Sequence, residues 1–192
     1  GVMMLSVTQS HPSFCLRHPR LAGIDFSIVA NTQGDVHGRG SLLLESLAER
    51  VELLPVSPAA VRRLLARLRS GGVAAIYADF RFPESLGIPV PLFGGPVLFA
   101  RSAVAIALKT GASVLPVVSV RRGELDSMEV EVRFFPALPL ADLASELADS
   151  DTAMARAALR FAVAVEALIR YDPATWRLWG TLPYRWQEAA QA

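Results

Sequence analysis

The pattern of hydrophobic and polar positions divides the chain into short apolar segments and longer amphipathic ones. Short apolar runs bounded by turn residues predict buried strands, and apolar residues spaced three and four positions apart predict helices. The predicted strands cover residues 2–7, 25–30, 51–56, 73–77, 112–120 and 128–134. Because strands alternate with helices, we expect an α/β fold with a mostly parallel central sheet flanked by helices.

The clearest helix signal lies between Ser57 and Gly71-Gly72. Ser57 is a favourable N-cap residue, and Pro58 suits the first helical position. The apolar residues of this segment fall on one stripe: Val61, Leu64, Leu65 and Leu68. Further helices are expected after Gly40, from Pro96 to Gly111, and over a long amphipathic stretch that includes residues 154–168. The sequence ends in a Trp-rich tail, and we expect one domain over residues 1–192.

Composition narrows the classes of function. More than half of the residues (52%) are hydrophobic and the mean hydropathy is +0.36, which favours a thick core, a lipid-binding groove or a membrane-facing patch. The net charge of +1 gives no electrostatic reason to expect nucleic acid as a partner. Cys15 is the single cysteine, so neither an internal disulfide nor a cysteine-based metal cluster is expected.

Membrane-spanning and export signals are not expected in this sequence. No stretch reaches the roughly 18–20 uncharged apolar residues that a spanning helix needs. The first apolar stretch, residues 2–5, is short and lacks the basic leader of a signal peptide. We therefore expect a cytoplasmic protein that contacts the inner face of the membrane peripherally.

The candidate chemistry is expected beyond the carboxyl ends of the strands, where α/β sheets bind ligands. The most informative of these loops covers residues 79–96 and brings an acid and a base, Asp79 and Arg81, before a glycine-containing turn. Free N–H groups around Phe93, Gly94 and Gly95, together with a helix beginning at Pro96, would form a site for an anion such as phosphate. The alternative is an ordinary crossover loop with a buried phenylalanine.

Four segments carry a resemblance to a known family: LLARLRSGGVAAIYADFR, GIPVPLFGGP, FARSAVAIALKTGASVLPVVSVRRG and the tail VEALIRYDPATWRLW. In this order they resemble the bacterial lipid A biosynthesis (lauroyl/myristoyl) acyltransferases of the lysophospholipid acyltransferase superfamily. The resemblance implies a glycerol-3-phosphate/lysophospholipid acyltransferase-like fold and transfer of a fatty acyl group to a hydroxyl of a lipid-like acceptor. The implied donor is an acyl thioester, acyl-ACP or acyl-CoA, so an acyl carrier protein is an expected partner. No other cofactor and no metal are implied.

The resemblance breaks at the motif expected to carry the chemistry. The family places HxxxxD or HxxxxE after its first strand, where the histidine is the general base and the carboxylate orients it. In TQSHPS, Thr8 takes the histidine position and Ser13 takes the acid position, and neither hydroxyl ionises near neutral pH. His11 is the remaining candidate base, with Asp79 or Asp25 as its partner. The expected substrate-binding residues are Thr8, Ser10, Ser13, Arg81, Phe93, Gly94, Gly95 and Arg101.

Three functions remain open from the sequence. The first is an active acyltransferase that uses His11, and the second is a degenerate relative that binds acyl chains, an acyl carrier or a partner enzyme. The third, an unrelated α/β enzyme acting on a nucleotide or sugar phosphate, is disfavoured because no GxGxxG or GxxxxGK[ST] motif is present. Trp176 and Trp179 are expected to cover the core, and a role at a membrane interface is the alternative.

Overall fold

The computed structural model describes residues 1–8, 21, 23–30, 50–55, 57–79, 87–123, 129–144 and 151–191. The strands in chain order are β1 (Val2–Ser6), β2 (Phe26–Ala30), β3 (Val51–Pro55), β4 (Val73–Tyr77), β5 (Gly87–Leu92), β6 (Gly95–Ala100), β7 (Ser113–Arg122) and β8 (Glu129–Phe134). The helices are α1 (Pro58–Arg69), α2 (Arg101–Thr110), α3 (Ala141–Ala144), α4 (Asp151–Tyr171) and α5 (Leu182–Gln191). The helix predicted after Gly40 lies outside the described residues.

Six of the strands form one sheet in the order β3-β2-β4-β1-β7-β8. All neighbours are parallel except β8, which runs antiparallel to β7 at one edge. β1 is central, and its first residue Val2 pairs with Val73 of β4 and with Ser113 of β7. The prediction of an α/β fold with a mostly parallel sheet is therefore confirmed.

The main core lies on the face of the sheet covered by α1, α2 and α4. Met3 and Leu5 of the central strand, and Val7 just after it, point into this core. Leu64 of α1 and Phe161 of α4 are buried there as well. The next residue along the strand, Met4, belongs to a smaller cluster on the opposite face, as expected for side chains that alternate across a strand. The other buried members of that cluster are Phe26, Ile28, Val51, Ala75 and Val117.

Helix α1 begins where its sequence signal predicts. The Ser57 hydroxyl accepts a hydrogen bond from the backbone N–H of Ala60 at 3.1 Å, and Pro58 occupies the first helical position. The chain then turns at Gly71, whose φ of 85° lies in the left-handed region that glycine adopts without strain. Both ends of the helix therefore follow from local side-chain chemistry.

The prediction of a long loop from residue 80 to a helix beginning at Pro96 is wrong. Residues 87–100 form an antiparallel hairpin of β5 and β6, which is separate from the main sheet, and α2 begins at Arg101. The predicted end of α2 is confirmed, since Gly111 caps it in the left-handed conformation.

The prolines explain why residues 87–100 look like a loop in the sequence, and their positions explain how the segment still forms two paired strands. Pro91 pairs with Pro96, and a residue without an N–H can occupy only the pairs that exchange no ladder hydrogen bonds. Pro89 lies two residues earlier, so its pair with Leu98 also exchanges no ladder hydrogen bonds. The alternate residues Ile88, Val90 and Leu92 are buried while Pro89 and Pro91 are exposed, so burial alternates along the strand although all of its side chains after Gly87 are apolar.

The Trp-rich tail is more ordered than the sequence predicts. Two short 3-10 turns, Pro173–Thr175 and Trp179–Thr181, lead into α5, which the sequence pattern did not reveal. Across the described ranges, no helix combines the length and the apolar character required to cross a bilayer.

Candidate functional site

The candidate site is centred on Asp79, which follows β4 at the carboxyl end of the sheet. The ends of β1 and β4 lie side by side there, since Ser6 pairs with Tyr77 and the Ala78 N–H donates to the Ser6 carbonyl at 3.1 Å. Asp79 is completely buried. Its predicted position at the carboxyl end of a strand is confirmed.

The Asp79 carboxylate accepts three hydrogen bonds from two distant segments. Oδ2 accepts from the backbone N–H of Thr8 and from the indole N–H of Trp176, both at 2.7 Å. Oδ1 accepts from the Thr8 hydroxyl at 3.0 Å. The carboxylate therefore joins the end of the first strand to the Trp-rich tail.

Burial raises the pKa of Asp79 above its ordinary value, because a charged carboxylate loses its hydration inside the protein. The hydrogen bonds from Trp176 and Thr8 oppose this shift, and so does the positive charge of the buried Arg185. The hydrogen-bond donors to Asp79 belong to Thr8 and Trp176, so the carboxyl group fixes the positions of both residues.

Both the side chain and the backbone of Thr8 form hydrogen bonds. Its hydroxyl and its N–H donate to Asp79, while its carbonyl accepts the backbone N–H of Arg177 at 3.0 Å. Thr8, which the sequence predicts at the histidine position of the motif, is thus part of the contact between strand β1 and the tail.

The tip of the hairpin lies next to this contact. Phe93 and Gly94 connect β5 to β6 with φ values of 51° and 84°, the two positive angles of a type I′ turn. A phenylalanine in this region of backbone space is strained, and the surrounding structure must therefore fix it. The Phe93 N–H donates to Oε2 of Glu166 at 2.9 Å, and the guanidinium of Arg170 lies 5.1 Å from the centre of the Phe93 ring.

Three aromatic rings link the hairpin tip to Asp79. The Phe93 ring centre lies 6.0 Å from that of Trp176 and 5.1 Å from that of Trp179, and the two tryptophans meet edge to face at 4.7 Å. Trp186 of α5 holds the other side of the turn, donating its indole N–H to the Leu92 carbonyl at 3.1 Å. A Cβ atom on Gly95 would lie 2.5 Å from the Trp186 ring, so this close approach requires glycine.

These contacts bear on the anion site predicted at Phe93, Gly94 and Gly95. The Phe93 N–H already binds a carboxylate, whose negative charge would repel a phosphate. The pKa of Glu166 is lowered by that backbone hydrogen bond and by Arg170, so this carboxylate is ionised at neutral pH. The helix N-terminus expected to complete the site at Pro96 lies instead at Arg101. A binding role for the two glycines stays a prediction.

The other predicted site residues do not join this cluster within the described chain. Arg101 forms an exposed ion pair with Asp151 at 2.8 Å. Four candidates lie outside the described residues: Ser10, His11, Ser13 and Arg81. Among the residues that are described, no group of three or more His, Cys, Asp or Glu side chains is arranged to hold a metal ion.

Comparison with known families agrees with this architecture. The model of the bacterial lipid A biosynthesis acyltransferases matches residues 47–187, well over half of the chain. The chain belongs to this acyltransferase family. The match begins just before β3 and ends in α5, so it includes Asp79, the hairpin and all three tryptophans. No curated protein matches the chain.

The family match confirms the resemblance, but it does not include the segment in which the catalytic motif is expected. Thr8 and the rest of the TQSHPS segment precede the matched range. Acyl transfer is the reaction of the family to which the chain belongs, and the matched range does not include the segment in which the catalytic base is expected.

Sequence reasoning missed the residues that complete the site. Trp176 was expected to cover the core, but nothing in the sequence pattern indicated that its N–H reaches Asp79, 97 residues earlier. Glu166 lies within the predicted helix, and no pattern in the sequence indicated its contact with the Phe93 N–H. Trp186 lies in a helix that was not predicted, and its contact with Gly95 depends on the hairpin.

Proposed function

We propose that this acyltransferase-family protein binds an acyl chain or an acyl carrier without transferring the acyl group. The observation that carries the proposal is the environment of Thr8, the residue that the sequence predicts at the histidine position of the family motif. Its hydroxyl donates to Asp79, and both the side chain and the backbone of Thr8 are engaged in holding β1 against the tail.

A threonine at this position removes the general base from the expected mechanism. Its hydroxyl keeps its proton near neutral pH, and a general base typically contributes a factor of about 10²–10⁴ to the rate. Asp79 does not replace the missing histidine, because both of its oxygens accept hydrogen bonds and the side chain is completely buried. The fold of the family is retained, which supports a role in binding.

The second candidate function is acyl transfer with His11 as a relocated base, from an acyl thioester to a hydroxyl of a lipid-like acceptor. The observation that favours it is the proximity of Thr8 to Asp79. Three residues of extended chain span at most about 10–11 Å, so the distance along the chain from Thr8 allows a base at position 11 to act at this end of the sheet. Asp79 would orient the imidazole, and acyl-ACP or acyl-CoA would supply the acyl group. Asp25, the other expected partner, lies before β2 at the opposite end of the sheet, beside Arg67, and cannot take this role.

An acyl-transfer assay separates the two functions. The protein is incubated with acyl-ACP and acyl-CoA thioesters and lipid acceptors, and acyl binding is measured in parallel with a fluorescent fatty acid and with immobilised acyl-ACP. Saturable binding without turnover above the uncatalysed rate supports the binding function. Turnover that His11→Ala abolishes, while the matched variant His37→Ala retains it, contradicts that function and establishes acyl transfer. Absence of both binding and turnover contradicts both functions.

A further inference from the structure

The tip of the hairpin has a bulky residue at a position where its turn prefers a small one. Both central residues of a type I′ turn need positive φ angles, which asparagine, aspartate and glycine adopt most readily. Gly94 suits the second position, but the first is Phe93, with a φ of 51°. In the part of the chain that the structure describes, no other residue except glycine has a positive φ. Strained angles of this kind persist only where the surroundings hold them, and they concentrate at functional sites.

Two residues of α4, one helical turn apart, hold Phe93 by its backbone and by its ring. The carboxylate of Glu166 uses both of its oxygens. Oε2 accepts the Phe93 N–H at 2.9 Å, and Oε1 accepts two hydrogen bonds from the Arg170 guanidinium, at 2.7 and 3.0 Å. The same guanidinium lies 5.1 Å from the centre of the Phe93 ring, within the range of a cation–π contact. We call Glu166 and Arg170 the clamp.

The clamp reaches the candidate site through the ring of Phe93. That ring packs against both Trp176 and Trp179, and Trp176 donates its indole N–H to the buried carboxylate of Asp79. The contacts therefore run without a break from Glu166 through Phe93 and Trp176 to Asp79. Asparagine at position 93 would suit the turn better, but it would place no ring against the tryptophans. The ring is thus what this strained residue contributes.

The alternative role for Glu166 is to stabilise its own helix. A glutamate four residues before an arginine forms a favourable surface pair, and such a pair contributes little to stability. That role needs only the oxygen that binds Arg170. The second oxygen accepts the N–H of a strained residue on a different element, 73 positions earlier in the chain. This contact favours a role in the hairpin tip over a role confined to α4.

We infer that Glu166 is a positioning residue of the candidate site, which holds Phe93 in the strained turn and thereby keeps Trp176 on Asp79. Glu166 acts through Phe93 and has no contact with the ligand of its own. The inference rests on the proposed function in one respect, since it takes acyl binding to occur at this end of the sheet. Loss of the clamp should therefore loosen Trp176 and lower the affinity for an acyl chain, while the fold is kept.

Amide exchange measured by NMR on the full chain tests the inference without any ligand. Glu166→Ala removes the acceptor, so the Phe93 N–H should exchange about tenfold faster, the effect of one lost hydrogen bond. The indole N–H of Trp176 should also exchange faster, which a role confined to α4 would not produce. Glu166→Gln keeps an oxygen that can accept the Phe93 N–H, so both exchange rates should change less than in Glu166→Ala.

Binding of a fluorescent fatty acid tests the consequence for the site. Affinity falls with the fraction of molecules in the binding-competent conformation, so Glu166→Ala should raise the Kd at least about threefold. Phe93→Asn, which suits the turn but lacks the ring, should free the Trp176 indole N–H and raise the Kd although Glu166 is intact. Asp142→Asn is the matched control, because it breaks another carboxylate–arginine pair on the same helix, at Arg160. It should keep the exchange rates and the Kd of the wild type.

Three results would overturn the inference. They are an unchanged Trp176 indole exchange in Glu166→Ala, equal changes in Glu166→Gln and Glu166→Ala, and a wild-type Kd in Glu166→Ala when the wild type binds the fatty acid. If the wild type binds no fatty acid, the proposed binding function fails, and the two exchange rates still decide whether Glu166 positions Trp176. Circular dichroism spectra that match the wild type show that each variant is folded.

Discussion

Asp79 and Asp142 are both aspartates that accept well-formed hydrogen bonds, yet their surroundings move their pKa values in opposite directions. Asp79 is completely buried, and the pKa is raised because burial outweighs the hydrogen bonds from Trp176 and Thr8. The side chain of Asp142 is 52% exposed, and the paired guanidinium of Arg160 lowers its pKa to about 2. Hydrogen bonds alone therefore do not decide the pKa of an aspartate, because the loss of hydration on burial can have a larger and opposite effect.

The comparison also separates two kinds of contribution to stability. Asp79 joins strand β1, the end of β4 and the tail, so its neighbours depend on it as an acceptor. Asp142 joins α3 to α4 at the surface, where water can replace either partner. The variants described next test this difference, beginning with the one expected to have the largest effect.

Replacing Asp79 with alanine should be the most destabilising of these changes. It leaves the Trp176 and Thr8 N–H groups without their acceptor, and an unsatisfied buried donor costs about 1–3 kcal/mol. We expect the free energy of unfolding to fall by roughly 3 kcal/mol in urea titrations at neutral pH. A loss no larger than that of Asp142→Ala would contradict the distinction between the two carboxylates.

Trp176→Phe isolates the indole hydrogen bond and should have the next largest effect. The aromatic contact with Phe93 is largely kept, while the hydrogen bond is lost and an oxygen of the buried Asp79 loses its donor, which costs about 1–3 kcal/mol. Trp179→Phe is the matched control, because its N–H donates to a neutral carbonyl and its ring is partly exposed. Urea unfolding should show the smaller loss for Trp179→Phe, and equal losses would exclude a special role for the bond to Asp79.

Asp79→Asn should change the pH dependence of stability. Since the pKa of Asp79 is higher in the folded protein than in the unfolded chain, the folded state binds more protons between the two values, and stability falls as pH rises through that interval. Asparagine does not ionise, its carbonyl can accept the two N–H groups, and its amide can donate to the Thr8 hydroxyl. We expect the variant to gain stability relative to the wild type as pH is raised from below 3.8. Parallel pH profiles from urea unfolding would contradict the raised pKa.

Asp142→Asn should have the smallest effect at neutral pH and the opposite dependence on acid. The lowered pKa means that the ion pair stabilises the fold above the ordinary value of 3.8, and that this contribution is lost as pH falls towards about 2. The variant should therefore show a shallower loss of stability between these pH values. Acid titration followed by circular dichroism measures it, and an unchanged acid limb would show that the pair with Arg160 contributes nothing.

The sheet could be predicted from the sequence because its signals are local. Most strands of the sheet are short apolar runs, and β8 alternates charged and apolar residues. Helix α1 carries its own cap at Ser57 and its own stop at Gly71. The position of Asp79 at the end of β4 followed from the same pattern.

The hairpin and the contacts of the tail could not be predicted in this way. Pro89, Pro91 and Pro96 look like loop residues in sequence, and only the pairing of the two strands shows that their missing N–H groups are harmless. The role of Trp176 depends on a partner 97 residues away, which no local pattern specifies. Family resemblance indicated that Trp176 and Trp179 belong to a motif, and the structure shows what their indole groups hold.

The prolines of the hairpin also protect the protein from unwanted self-association. Among the described residues no further strand pairs with this hairpin, and a strand edge without a partner can recruit strands from other molecules. Positions that exchange no hydrogen bonds within the hairpin direct their N–H groups outward, and at residues 89, 91 and 96 those groups do not exist. The outer edge of β5 therefore offers a second chain few donors with which to begin an aggregate.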